Sequence, residues 1–299
     1  MLNPVVVGID GREGGRDALA LARALTAEDQ LVCALVYPYE DRPSRMSVAD
    51  YAVAIRDEAK RALQEEGSAA GLGDDAELIA VGDTSPARGL HRVAETSGAG
   101  LIVVGSAHRG PVGRALAGDV SRGTLHGSPC PVAVAPRGYR EREGAIRTIG
   151  VAYDGGADSE VALGVARALA EEIGAQVRTL VVADPGTVTW PGYAYTIDWE
   201  NYTRDRREHA EELVKHAVAK TGGDGEVLVG PVAENLESGA AGLDLLVMGS
   251  RGWGPVGRTL LGSTADHLVH HSSCPVLVVP RGTAVGERSE TGSGATAPA

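Results

Sequence analysis

GSAHRGPVGRALAGDVSRGTLHGSPCPVAVAPRG, from Gly105 to Gly138, and GSRGWGPVGRTLLGSTADHLVHHSSCPVLVVPRG, from Gly249 to Gly282, agree at 18 of 34 positions without a gap. The offset is 144 residues, and it also lays Val7-Gly8-Ile9-Asp10-Gly11 over Val151-Ala152-Tyr153-Asp154-Gly155. Agreement at both ends marks duplication of a whole domain rather than of one loop. A chain of 299 residues holds two domains of about 140 residues, each large enough to bury a core.

Within each copy, short β-branched runs alternate with longer helical patterns, the signature of βαβ units and a parallel sheet. Copy one offers strands near 4–9, 31–37, 76–81, 100–105 and 131–135; copy two near 147–153, 175–182, 226–230, 243–249 and 275–279. These runs are almost wholly apolar rather than alternating, as expected where helices cover both faces of a sheet. The fold class is therefore α/β, with five parallel strands per domain. Domain 1 is placed at residues 1–140 and domain 2 at 145–282. The charged stretch from Arg137 to Arg147 forms the linker between them. Residues 283–299 turn to Gly, Ser, Thr and Ala and are expected to be a disordered tail.

Composition excludes several classes. A net charge of −12 repels the phosphates of nucleic acid and of anionic membranes. No apolar run approaches the roughly 18–20 residues needed to cross a bilayer. The amino terminus enters a strand pattern with no basic segment ahead of it, so a soluble, cytoplasmic protein is expected. Cys33, Cys130 and Cys274 stand far apart, without a CxxC pair, and read as buried thiols. A local nest of backbone N–H groups can still hold a small anion in an acidic protein.

Such a nest is encoded after the strand LDLLVM. The text runs Gly249, two residues, Gly252, nine residues, Gly262, Ser263, and then a helical pattern. Glycines suit a backbone that approaches phosphate oxygens, because no Cβ intervenes. Ser263 and Thr264 would open the last helix, where unpaired amides and the positive dipole end attract an anion.

With this G-x2-G-x9-G-[ST] spacing, the opening strand with Asp-Gly and the closing CPVLVV strand, residues 3–281 resemble a tandem universal stress protein of the ATP-binding type. The resemblance implies two Rossmann-like (adenine nucleotide alpha hydrolase-like) domains, each a sheet of order 3-2-1-4-5, with the nucleotide where the order reverses. It implies ATP as the ligand, with Mg²⁺ as a candidate companion. Asp154 and Val182 would lie by the adenine, and Met248 and Gly249 near the ribose. Gly252, Gly262, Ser263 and Thr264 would hold the phosphates, with Arg251 and Arg258 as candidate added charge. It further implies that the Val132–Ala135 and Val276–Val279 strands meet antiparallel in an intramolecular pseudo-dimer. Whether two chains form a homodimer stays open. A nucleotide-dependent stress-response regulator, with a protein partner of unspecified kind, is the implied function.

Copy one departs from this pattern. Its weaker site would comprise Asp10, Gly105 and Gly118, but His108 stands where copy two has Gly252, and Asp119 where it has Ser263. Two like charges about 4 Å apart cost on the order of 4 kcal/mol at an effective dielectric near 20. The helix dipole typically returns only about 0.3–1 kcal/mol, so site one is expected to bind ATP weakly or not at all. Gly110, Gly113, Gly123 and Thr124 also fit the spacing, but the repeat alignment sets the second half of that match inside a helix.

Two rival readings remain at this stage. Asp154-Gly155-Gly156-Ala157-Asp158-Ser159 resembles the SGGxDS loop of adenylating ATP pyrophosphatases, although its first serine is an aspartate and copy one reads DGREGG there. A ligand-free, partner-binding module is the other. Its support is Trp190, Tyr193, Tyr195, Trp199 and Tyr202, five of the 11 aromatic residues in the chain. His267, His270 and His271 share a helix, yet no Cys or carboxylate cluster accompanies them, and no metal site is assigned. No Ser, His and Asp set is placed for nucleophilic catalysis, so any ATP hydrolysis is expected to be slow.

Overall fold

The computed structural model describes residues 2–39, 48–106, 119–142, 144–185, 199–250, 261–281 and 283. The expected tail, residues 283–299, apart from Thr283, and most of the aromatic segment lie outside them.

Domain 1 contributes strands β1 (Val5–Gly8), β2 (Leu31–Tyr37), β3 (Glu77–Gly82), β4 (Leu101–Gly105) and β5 (Val132–Ala135). Its helices are α1 (Glu13–Leu25), α2 (Val48–Ala69), α3 (Pro86–Ser97) and α4 (Asp119–Leu125). Domain 2 repeats the series with β6 (Thr148–Ala152), β7 (Gln176–Ala183), β8 (Asp224–Val229), β9 (Leu245–Gly249) and β10 (Val276–Val279). Its helices are α5 (Ala157–Ile173), α6 (Trp199–Thr221), α7 (Val232–Gly239) and α8 (Ser263–His271).

The ten described strands join one sheet in the order β3-β2-β1-β4-β5-β10-β9-β6-β7-β8. Read from each outer edge, both halves follow the expected 3-2-1-4-5 order, and neighbours within each half are parallel. The halves meet at one antiparallel seam, where Leu277 stands opposite Ala133. Each closing strand thereby covers an edge of the other that would otherwise be open for pairing.

The strands are apolar on both faces because two layers need them. Val5, Val7, Ala133 and Ala135 face a layer completed by Leu21 and Leu25 of α1 and Leu163 and Leu169 of α5. Val6, Val132 and Val134 face the other, with Leu90 of α3, Leu236 of α7 and Leu268 of α8. Each layer contains residues of both domains, so apolar burial is continuous across the seam. Burial of one such leucine contributes about 1.5–3 kcal/mol.

The linker is exposed along much of its length but anchored near its start. A 3₁₀ turn at Tyr139–Glu141 buries Tyr139. The amides of Gly138 and Arg140 donate to the Asp17 carboxylate at 2.9 and 3.0 Å, and Asp17 is only 1% exposed. Its counterpart in domain 2 is Val161, so the anchor belongs to one copy alone. All three cysteines are buried and free, and burial pushes the Cys33 thiol up to about 11. It therefore stays protonated near neutral pH. No described helix is long and apolar enough to cross a membrane.

Candidate functional site

In domain 2 the strand order reverses between β6 and β9, and their carboxyl ends frame the crevice that such a reversal opens. It forms a cleft of about 690 Å³, a size typical of small-ligand sites.

One wall is the turn after β6. Gly155 has φ 75, a left-handed conformation that favours glycine. The turn is held by Asp154, whose Oδ1 accepts from the Gly156 amide at 2.9 Å and from the Ser159 hydroxyl at 2.6 Å. Ser159 is thus engaged in fixing the loop, which argues against the adenylating loop it resembles. Domain 1 builds a similar turn with Asp10, which accepts from the Arg12 amide at 3.0 Å. There Gly15 replaces Ser159, and a Cβ on Gly15 would lie 2.9 Å from Asp10 Oδ1.

The opposite wall is the start of α8. Its N-cap, Gly262, has no side chain to offer the helix. The helix's first bond runs from the Asp266 amide to the Gly262 carbonyl at 2.8 Å. The amides of Ser263, Thr264 and Ala265 therefore have no acceptor within the helix. Asp266 and His267 tie α8 to its neighbours. His267 Nε2 lies 2.8 Å from Glu237 Oε2 of α7, and the Arg122 guanidinium of α4 lies 2.9 Å from Asp266 Oδ1. His271 Nδ1 lies 2.9 Å from the His267 carbonyl. These contacts give the histidine cluster a structural role.

Gly249, at the end of β9, has a packing reason of its own. A Cβ there would lie 2.7 Å from the Asp158 carbonyl oxygen, because the first turn of α5 crosses the strand end. Gly105 is tighter still, 2.0 Å from the Gly14 carbonyl oxygen. The first glycine of the motif thus serves helix–strand packing in both copies.

Of the residues expected to hold the nucleotide, Asp154, Val182, Met248, Gly249, Gly262, Ser263 and Thr264 all line this cleft. Arg251 and Gly252 lie outside the described residues, as do His108 and Gly118 of domain 1. In domain 1, Asp10 and Gly105 occupy the corresponding strand ends and α4 opens at Asp119. Gly123 and Thr124 fall within α4, and the Thr124 hydroxyl donates to the Val120 carbonyl at 2.7 Å. The displaced glycine match is therefore a coincidence of spacing.

Ten further lining residues are outside the set expected to hold the nucleotide, Leu180, Arg206, Val232 and Leu236 among them. Leu180 follows from register, since the Tyr153 amide donates to its carbonyl. Arg206, Val232 and Leu236 depend on how α6 and α7 approach the strand ends, which no local motif encodes. Arg206 brings a cation among Asp154, Asp158 and Asp184, and Asp158 is itself paired with Arg281 at 3.2 Å.

Beneath the cleft, the Tyr153 hydroxyl donates to Glu160 Oε1 at 2.6 Å, and Lys220 of α6 donates to Oε2 at 2.8 Å. Burial alone would raise the Glu160 pKa, but the hydrogen bonds from Lys220 and Tyr153 outweigh it and hold the carboxyl below its usual range.

Comparison with known proteins places this geometry in context. A model of the universal stress protein family matches residues 1–136 and again residues 145–280. A universal stress protein of Thermus aquaticus is 37% identical over 139 residues, covering 45% of this chain and 98% of that protein. One of Mycobacterium tuberculosis is 29% identical over 202 residues, 66% of this chain and 69% of the relative. Among solved structures, a universal stress protein from Archaeoglobus fulgidus superposes with a TM-score of 0.67 at 22% identity, covering 93% of this chain and 98% of that one. One from Pseudomonas aeruginosa reaches 0.60 at 19% identity, with 92% of each chain covered.

Proposed function

The chain belongs to the universal stress protein family and carries its domain twice, and from that premise we propose that it is a cytoplasmic, nucleotide-dependent regulator that binds ATP in domain 2. The observation that carries the reading is the start of α8. A glycine cap and three first-turn amides without intrahelical acceptors face a cleft lined by seven of the expected residues. A helix end of this kind favours an anion.

In this reading Asp154 and Val182 flank the base, Met248 and Gly249 the ribose, and Gly262, Ser263 and Thr264 the phosphates. Arg251 and Gly252 complete the loop. Mg²⁺ would enter with the phosphates, retaining part of its water shell. No residue is assigned a chemical step, so occupancy rather than turnover is the signal. The tethers of α8 to α7 and α4 give occupancy a path to neighbouring elements. Domain 1, with Asp119 at the matching helix start, serves as the scaffold.

The test is nucleotide analysis of the purified protein by mass spectrometry, joined to calorimetry. Wild type is expected to bind one ATP per chain, and the Gly252→Asp, Ser263→Asp double variant to bind at least about 100-fold more weakly. Two equal sites per chain, or unchanged affinity in the double variant, would overturn the reading.

A further inference from the structure

Where two copies of a domain meet about a pseudo-twofold axis, only residues on the axis meet their own counterparts; all others meet something different. The register of the seam fixes that axis. Leu277 stands opposite Ala133, and the 144-residue offset of the repeat relates these two positions. Their neighbours, Val276 opposite Val134 and Val278 opposite Val132, are valines in either direction. At the axis itself one copy supplies a large side chain and the other a small one, and both are fully buried.

The opposite face of the sheet repeats the arrangement with charge. Arg122 of α4 lies 2.9 Å from Asp266 of α8, and the same offset relates them. His270 adds a second contact to this carboxylate at 3.8 Å. Leu277 and Ala133 belong to the layer shared with α1 and α5, whereas α4 and α8 cover the other layer. Two independent positions on the axis, one apolar and one ionic, thus differ between the copies in complementary ways.

Pairing of like domains would remove both complementarities. Two copies of domain 1 would set Ala against Ala, leaving a void, and Arg against Arg. Two copies of domain 2 would crowd Leu against Leu and oppose Asp with Asp. Voids, overpacking and facing like charges are each destabilising. We infer that the seam is heterotypic by construction: the surface formed by β5 and α4 takes domain 2 as its partner and rejects a second copy of itself.

The test mimics each forbidden pairing inside the full chain. L277A with D266R gives domain 2 the axis residues of domain 1, and A133L with R122D does the reverse. The fourfold variant exchanges both pairs and restores complementarity. Each mimic is expected to lower the thermal midpoint by roughly 5–15 °C, and the fourfold variant to return to within about 3 °C of wild type. Should a mimic fail to fold, recovery of folding in the fourfold variant supports the inference equally. In 1 M salt the ionic share of the recovery should shrink and the apolar share remain. A fourfold variant as impaired as the summed mimics would overturn the inference. So would mimics that match wild type in midpoint and in molar mass by light scattering.

Discussion

Domain 1 and domain 2 share a strand order, a turn built on an aspartate and a closing seam strand, yet they treat the rim of the sheet differently. After β3, domain 1 places Asp83, 6% exposed, and clamps it. Arg88 Nε donates to both carboxylate oxygens, at 2.9 and 3.1 Å, and Arg92 approaches at 3.3 Å. After β8, domain 2 has Gly230 at the same place, with φ 131, and the helix that follows lends Val232 and Leu236 to the cleft. Domain 1 also opens α4 with Asp119, where domain 2 opens α8 with Ser263. At this rim domain 1 thus buries a carboxylate held by its own arginines, where domain 2 has a glycine beside the cleft.

The comparison is most sharply broken by exchanging the helix starts. Ser263→Asp in domain 2 is expected to cost on the order of 4 kcal/mol of nucleotide binding, read by calorimetry. The reciprocal pair His108→Gly, Asp119→Ser should create a measurable second site; if stoichiometry stays at one, further elements of domain 1 exclude the nucleotide. Next in size come the packing glycines. Gly105→Ala should destabilise by about 1–3 kcal/mol, and by more than Gly249→Ala, since its Cβ would come closer to backbone, 2.0 against 2.7 Å. Urea denaturation of both variants decides this, and equal losses would mean that the first turns of α1 and α5 yield equally.

A smaller effect concerns acid. The Asp83 pKa is lowered, chiefly by its hydrogen bond from Arg88. Its stabilisation is therefore present above the ordinary carboxylate value near pH 4 and fades as pH falls through the lowered folded value. Asp83→Asn should cost about 1 kcal/mol at pH 7, a modest figure because both arginines are half exposed. The gap from wild type should narrow below about pH 4. Glu160, lowered through Lys220 and Tyr153 against the opposing effect of burial, follows the same sign. Glu160→Gln is the smallest change expected, also narrowing in acid, and a gap that widens there would contradict the assignment.

All ten described strands are legible in the sequence because each contains a short run rich in apolar residues bounded by turn residues. Two strand starts are misplaced by two residues, those of β8 and β9, and the first is instructive. The expected strand at 226–230 begins in fact at Asp224, since β8 is an edge strand whose exposed first residues carry no apolar signal. Gly249, Gly262, Ser263 and Thr264 are marked by the spaced glycine motif, whereas Asp154, Val182 and Met248 come only from the family resemblance. Arg206 and Leu236 come from neither, because their position depends on helix docking rather than on neighbours in the chain. The anchoring of the linker on Asp17 is equally invisible, as a lone aspartate in a helix pattern reads as solvated.

The antiparallel seam also gives the molecule a direction. Strands of the two domains run oppositely across one sheet, so the carboxyl rims open on opposite edges. A protein docking over the mouth of domain 2 would touch the blunt strand starts of domain 1, never its rim. Under the proposed function, a partner that reads occupancy of domain 2 would approach from that edge of the sheet alone.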